Sequence, residues 1–305
     1  MKRLLDCTAS DFEQMTGQDL KKAIIASEGR TILSEVIGAF SPYYPAVTNA
    51  ELAAAFGADL ILLNFFDVMN PAIESLPDAD PSEVITQLKK LVGRPVGLNL
   101  EPVDLQADKL EALQQLPEGR IATDASLTRA KELGFDFVCL TGNPKTGVTN
   151  AEITKAIEKA RTAFGPDGLI IAGKMHGAGV AGETGSSMMT EETVHSFVEA
   201  GADIILIPSP GTVSGFTVEK TAKLVDLVHQ KGALAILTTG TSQEGADEQT
   251  IKLIALNSKM AGADLYHIGD AGAAGIALPE NIMAYSIVVR GKRHTYVRMA
   301  ASVRR

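Results

Sequence analysis

Lys174 and His176 stand where an apolar run ("GLIIAGKMHG", 168–177) turns into a glycine-rich loop ("GAGVAGETGSS"). A lysine held among apolar walls loses proton affinity and can form a Schiff base with a carbonyl compound. Kept charged, it can hold a carboxylate or enolate oxygen while a carboxylate removes a proton α to a carbonyl. That carboxylate is Glu101, at the end of "RPVGLNLEP" (94–102). Lys174, Glu101 and His176 are therefore the candidate catalytic set, with aldolase-type carbon–carbon cleavage or isomerisation and epimerisation as the chemistry. A third chemistry uses a metal. Glu101, His176 and Asp270 would be its ligands and magnesium the ion they suit, in a metal-assisted hydrolase or a phosphoenol-type enzyme. The chain has no His-x-His on its first apolar run and no His-Glu-x-x-His, so no zinc is expected and magnesium is the one cofactor left open.

These residues need elements to position them. Four segments share the form Gly-x-Asp followed by an apolar run: "FGADLILLN" (56–64), "LGFDFVCLT" (133–141), "AGADIILIP" (200–208) and "AGADLYHIG" (261–269). Gly57, Gly134, Gly201 and Gly262 suit the left-handed position that ends a helix, and Asp59, Asp136, Asp203 and Asp264 begin strands. Their separation fits two strand–helix units. The expected intervening strands are "TILSEVIGAF" (31–40), "RPVGLNLEP", "GLIIAGKMHG" and "GALAILTTG" (232–240). Short apolar runs bounded by Gly, Pro or Asp are strands buried on both faces. Helical stretches that open on Asn, Pro, Thr or Asp and close on Gly fill most gaps. The fold class is α/β, a (β/α)₈ TIM barrel in one domain: residues 1–30 form an N-terminal helical cap, 31–305 the barrel, with a long closing helix from about 279. The repeat aspartates fall on the N-terminal face, where structural bonds to backbone amides are expected of them.

The Gly-x-Asp repeat, with its two-unit period, resembles the phosphate-binding barrels of the ribulose-phosphate-binding type, as architecture along the whole chain. The Lys-Lys-Cys-Gly-His signature of the phosphoenolpyruvate mutase and isocitrate lyase barrels is absent, "AGKMHG" being only a faint echo of it. Barrel chemistry sits at the C-terminal strand ends. Period-2 alternation with Ala172 on the inner face aims Lys174 into the mouth, and Asn99 and Glu101 share the parity of Gly97. Glu35, Asn64, Asn99, Thr141, Asn143, His267 and Asp270 complete a polar ring as candidate substrate-binding groups. Any one of them is also readable as a solvated strand end. The loops "TTGTSQEGAD" (238–247) and "GDAGAAGIALPEN" (269–281) follow strands seven and eight, where barrels often grip phosphate through backbone amides. Gly240, Thr241, Ser242, Gly272 and Gly275 are the candidate phosphate-binding residues, although Glu244 and Asp270 bring negative charge there. The glycine-rich loops after strands five and six are expected to act as lids.

Composition bounds the rest. The net charge is −9 and no dense Lys/Arg run precedes the last residues, which excludes sequence-independent nucleic-acid binding. Two cysteines preclude a disulfide framework. No apolar run of about 18 residues spans a membrane, so a cytoplasmic protein is expected. Outer helices of low charge, such as "NAELAAAFG", permit a homo-oligomer. The expected partner is a small-molecule substrate, phosphorylated in the leading reading, processed by a lyase or isomerase. A barrel that binds sugar phosphate without catalysis is the alternative.

Overall fold

In the computed structural model, which describes residues 2–77, 79–108 and 110–305, eight parallel strands pair in chain order into a closed barrel. They are β1 (Thr31–Ile37), β2 (Leu60–Asn64), β3 (Val96–Leu100), β4 (Phe137–Leu140), β5 (Ile170–Gly173), β6 (Ile204–Pro208), β7 (Leu234–Thr239) and β8 (Leu265–Ile268). The outer helices are α3 (Asn49–Ala55), α4 (Val84–Val92), α5 (Asp124–Glu132), α6 (Asn150–Phe164), α7 (Glu191–Ala200), α8 (Val218–Gln230), α9 (Glu248–Met260) and α10 (Pro279–Ala300). The N-terminal segment supplies α1 (Ala9–Phe12) and α2 (Gly17–Ile25). Five outer helices start after a threonine (Thr48, Thr123, Thr149, Thr190, Thr217) whose hydroxyl accepts an amide of the first turn, satisfying a donor that would otherwise be orphaned. α10 is interrupted at Gly291, where φ is +74°.

The barrel interior is filled by large side chains, among them Leu33, Leu62, Phe137, Cys139, Ile171, Leu206 and Ile236. Burying each contributes about 1.5–3 kcal/mol. Phe137 takes space that only glycine on β3 leaves open, since a Cβ at Gly97 would lie 2.1 Å from its ring. Leu4, Phe12, Leu20 and Ile24 close the N-terminal end against this interior.

The Gly-x-Asp repeat holds that same end together. Gly57, Gly134, Gly201 and Gly262 all have positive φ. Each aspartate accepts the amide of a residue on or next to the preceding strand, from Ile32 (2.8 Å), Val96 (2.8 Å), Ile170 (3.0 Å) and Ala235 (2.8 Å). Each donates its own amide back to the carbonyl of that residue. The clasp therefore spans two neighbouring strands. Every aspartate also faces a cation: Asp59 the buried Arg290 (2.5 Å) and Arg298 (2.7 Å), Asp136 Lys89 (2.6 Å), Asp203 Arg161 (2.6 Å) and Lys21 (3.1 Å), Asp264 His229 (2.7 Å). His229, itself exposed, is thus tied to the repeat.

The alternation on β5 runs opposite to expectation. Leu169, Ile171 and Met175 pack in the barrel interior, whereas Ile170 and Ala172 join the helix-facing layer with Ile153, Ile157 and Phe197. Small residues were expected inside, but this interior is built of large aliphatics, and Ala172 lies where the helices press on the sheet.

Candidate active site

At the C-terminal ends of the strands lies a cavity of about 390 Å³, lined from the barrel side by Glu35, Thr141, Asn143, Gly240, Thr241, Ser242, Glu244, Gly269 and Asp270. Its other wall comprises Leu110, Glu111, Lys145, Met175, His176 and Gly177–Gly179. Loops after β3, β4 and β5 close that wall through backbone hydrogen bonds: Gly147 N–H to Ala178 O (2.9 Å), Leu110 N–H to Gly179 O (3.0 Å) and Gln114 N–H to Lys145 O (2.7 Å). The β3 loop, which no sequence pattern singled out, belongs to this cover. The β6 loop, expected to act as a lid, does not line the cavity.

Glu35 points inward from β1 and meets His267 of β8, Nε2 to Oε2 3.0 Å apart, both buried. Burial, with Glu244 and Glu101 nearby, pushes the Glu35 carboxyl up to about 8. Burial lowers His267 to about 4. Neutral forms are favoured on both, and the hydrogen bond shares one proton between them. Asp270 is pushed up to about 7 by burial and by Glu35, while the Asn64 amide that donates to it acts the other way. Glu244 is raised chiefly by burial. Its Oε1 accepts the Ala271 amide at 3.1 Å, and its Oε2, buried at the cavity wall, has no hydrogen-bond partner.

A network of asparagines ties the opposite strands to Asp270. The Asn64 amide donates to Asn143 (2.8 Å) and Asp270 (2.9 Å), and Asn99 (3.1 Å) and Asn143 (3.0 Å) donate back to the Asn64 oxygen. Asn99 also accepts the Thr141 amide at 3.3 Å. Glu101 faces inward, as its parity predicts, and stands behind this network. Its oxygens accept from Arg120 (2.7 Å) and from the Asn143 amide (2.8 Å). It positions Asn143 and does not line the cavity, so its expected place as the reacting carboxylate is corrected.

Lys174 requires the larger correction. It is 1% exposed, lies one residue past β5 and pairs with Glu183. Glu183 also accepts the first-turn amide of α6, from Asn150 at 3.0 Å. The pair fastens the β5 loop to an outer helix, because the inverted alternation turns Lys174 away from the cavity. His176 does reach the wall. Its Nδ1 accepts the Ala178 amide at 3.1 Å, which leaves Nε2 as the protonated nitrogen, and burial lowers the ring to about 4.

The expected phosphate grip is likewise altered. Gly240, Thr241 and Ser242 line the cavity, but the Thr241 hydroxyl donates within the protein, to Thr212 O at 3.0 Å. Gly272 and Gly275 do not border it. A Cβ on Gly272 would lie 2.8 Å from the Ile276 carbonyl, and one on Gly275 2.8 Å from Ile37. The Ala271 amide, which a phosphate would use, is occupied by Glu244. For a metal, no group of three His, Cys, Asp or Glu side chains among the described residues is placed to hold an ion. Glu101, His176 and Asp270 do not converge as ligands, since both Glu101 oxygens are engaged.

Glu244, Arg120, Lys145 and Glu183 are the site residues that sequence reasoning did not assign. Only Glu244 left a trace there, as an acidic residue in a loop expected to take an anion.

Fold and cavity together define a (β/α)₈ barrel with an acidic pocket at the C-terminal ends of its strands. The chain belongs to the family described as Domain of unknown function (DUF7916), whose model matches residues 5–305. No curated protein matches it. Among solved structures it is similar to the thiamine phosphate pyrophosphorylase of Pyrococcus furiosus, at 13% identity and TM-score 0.49, covering 87% of this chain and 97% of that one. It is also similar to 2,3-dimethylmalate lyase, a PEP mutase/isocitrate lyase superfamily member, at 12% identity and TM-score 0.48, covering 85% and 81%. Among the described residues no helix is long and apolar enough to cross a membrane.

Proposed function

We propose that the protein is an enzyme that moves a proton at the carbon α to the carbonyl of a small compound, as an isomerase, epimerase or carbon–carbon lyase, without a Schiff base. The observation that carries this reading is the contact of Glu35 with His267 at 3.0 Å beside Asp270, in a cavity at the strand ends. Two carboxyl groups in one site that ionise separately divide acid and base roles between them. Asp270, near 7 and supported by the Asn64 amide, is the base. Glu35, near 8 and coupled to His267, is the acid. Asp270 takes the α-proton, and the enolate oxygen is stabilised by the Thr141 hydroxyl and by His176 Nε2–H of the other wall. Reprotonation by Glu35 gives isomerisation or epimerisation. For cleavage Asp270 instead takes the proton of a β-hydroxyl, the Cα–Cβ bond breaks to leave a carbonyl fragment and the enolate, and Glu35 protonates the enolate carbon. The three acidic groups at the strand ends, Glu35, Glu244 and Asp270, argue for an unphosphorylated substrate.

The test is solvent-deuterium exchange at the α-carbon, followed by NMR over a panel of small hydroxy-carbonyl compounds. Exchange should rise with pH through about 7 and fall through about 8, following Asp270 and Glu35. Glu35→Gln and Asp270→Asn should each lose roughly 10²–10⁴-fold. Borohydride should trap no adduct on Lys174, and trapping there would restore the Schiff-base mechanism and sink this one.

A further inference from the structure

We propose that the cavity takes a small carbonyl compound that also carries a protonated primary amine, its ammonium group held by Glu244 beside Glu35 and Asp270 and its oxygen turned to Thr141 and His176. The inference rests on the reading above for where the reacting carbonyl lies.

The argument is one of unfilled donors and acceptors. Glu244 is 2% exposed, lines the cavity and leaves Oε2 without a partner. A buried acceptor left open carries a desolvation cost that a ligand donor would remove. Thr141 Oγ1, 1% exposed just past the end of β4, is equally unpartnered. The two kinds of group are segregated. Carboxyls come from β1 and from the loops after β7 and β8, while the free hydroxyl and the imidazole N–H come from β4 and the β5 loop. An ammonium carries three donors on one atom, which suits the open Glu244 oxygen with the Glu35 and Asp270 carboxyls nearby. The cation in the lining, Lys145, does not serve them, since it pairs with Glu111 at 3.3 Å on the opposite wall. A phosphate placed there would add charge of the same sign. The volume, about 390 Å³, lies at the lower end of small-molecule pockets, about 300–1,000 Å³. Burial and the neighbouring Asp270 hold the Glu244 carboxyl above its ordinary value, so an arriving ammonium should ionise it and displace a proton.

The experiment compares matched probes on the full chain: aminoacetone, hydroxyacetone and hydroxyacetone phosphate, then glucosamine, glucose and glucose 6-phosphate. Binding is read by calorimetry in two buffers of different ionisation enthalpy near pH 7. At least one amine should bind at least about tenfold more tightly than its hydroxyl and phosphate partners, with net release of protons. Glu244→Gln, whose amide oxygen can still accept from Ala271, should abolish that preference. Equal or tighter binding of a hydroxyl or phosphate member, amine binding unchanged in Glu244→Gln, or no binding by either amine overturns the proposal. The wild-type comparison decides the matter even if the variant fails to fold. Exchange on hydroxyacetone that needs Glu35, with no amine preference, removes this inference and leaves the proposed reaction standing. Tight amine binding with no exchange on any carbonyl does the reverse.

Discussion

The two ends of the barrel treat carboxylates in opposite ways. At the N-terminal end each of Asp59, Asp136, Asp203 and Asp264 accepts a backbone amide and faces at least one basic side chain. At the C-terminal end Glu35, Glu244 and Asp270 face one another, and their partners are an imidazole, a peptide amide and an asparagine. Burial alone does not separate them, since Asp59 and Asp203 at one end are as buried as Glu35 and Glu244 at the other. Compensation does. A carboxylate matched by a cation fixes geometry and has little left to offer, whereas one surrounded by its own kind holds its proton up toward neutral pH and, at Glu244, keeps an oxygen free.

The comparison breaks most directly at Asp59, which touches Arg290 and Arg298 where all three are almost completely buried. Asp59→Ala leaves two buried guanidiniums without their counter-charge, a situation that typically costs about 3–5 kcal/mol. The urea midpoint should fall accordingly, or the variant should not accumulate as folded protein. Asp264→Ala should cost much less, because its partner His229 is 39% exposed and water can replace it. Equal losses at the two positions would mean that the clasp to the neighbouring strand, common to both, carries the stability and the cations do not.

The N-terminal end was legible in the sequence because its parts are local. A glycine in left-handed conformation followed by an aspartate opening a strand is a three-residue pattern, and it recurs four times. β3 was legible for a related reason. Gly97, Asn99 and Glu101 alternate with Val96, Leu98 and Leu100, so polar character itself marks the inner face. On β5 both faces are apolar, and the size rule then chose the wrong one. Glu244 was hidden differently. Thr241 and Ser242 adopt φ of +58° and +73°, a path that bends the 243–245 turn back over the mouth and that neither residue type specifies. Arg120 reaches Glu101 from the far part of the same long connection between β3 and α5, 19 residues on, and no spacing announces such a contact.

Lys174 tests whether compensation also marks a structural role at the C-terminal end. Its pair with Glu183 is buried on the lysine side, while Glu183 remains 22% exposed. Lys174→Met keeps the length of the side chain and removes the charge. Glu183 retains the Asn150 amide and some water, so the expected loss is about 1–3 kcal/mol. Hydrogen exchange should quicken across 174–189, and any α-proton exchange activity should persist in the folded fraction. Abolition of turnover with stability unchanged would place Lys174 in the chemistry and erase the distinction drawn here.

The smallest effect concerns how stability depends on pH, and its sign separates the two ends. Glu35 and Asp270 are pushed up to about 8 and about 7, from 4.5 and 3.8. A group that binds its proton more tightly when folded contributes stability that is complete below its unfolded value and is lost as pH rises through the folded one. His267, lowered from 6.5 to about 4, contributes in full above 6.5 and loses that only as pH falls through 4, so it is silent at higher pH. His229, raised by Asp264, adds a loss of the same sign as the carboxyls. Unfolding free energy should therefore decline from about pH 6.5 to about pH 8.5, on the order of 1 kcal/mol per pH unit for each carboxyl while it titrates. Urea curves at three pH values measure it. Glu35→Gln should flatten the decline and overtake the wild type in stability at the alkaline end, since the charge that the fold must otherwise bury there is gone. A wild-type profile that stays level or rises over this range would show that the mouth carboxyls are compensated after all, and the proton they are assigned in catalysis would have no source.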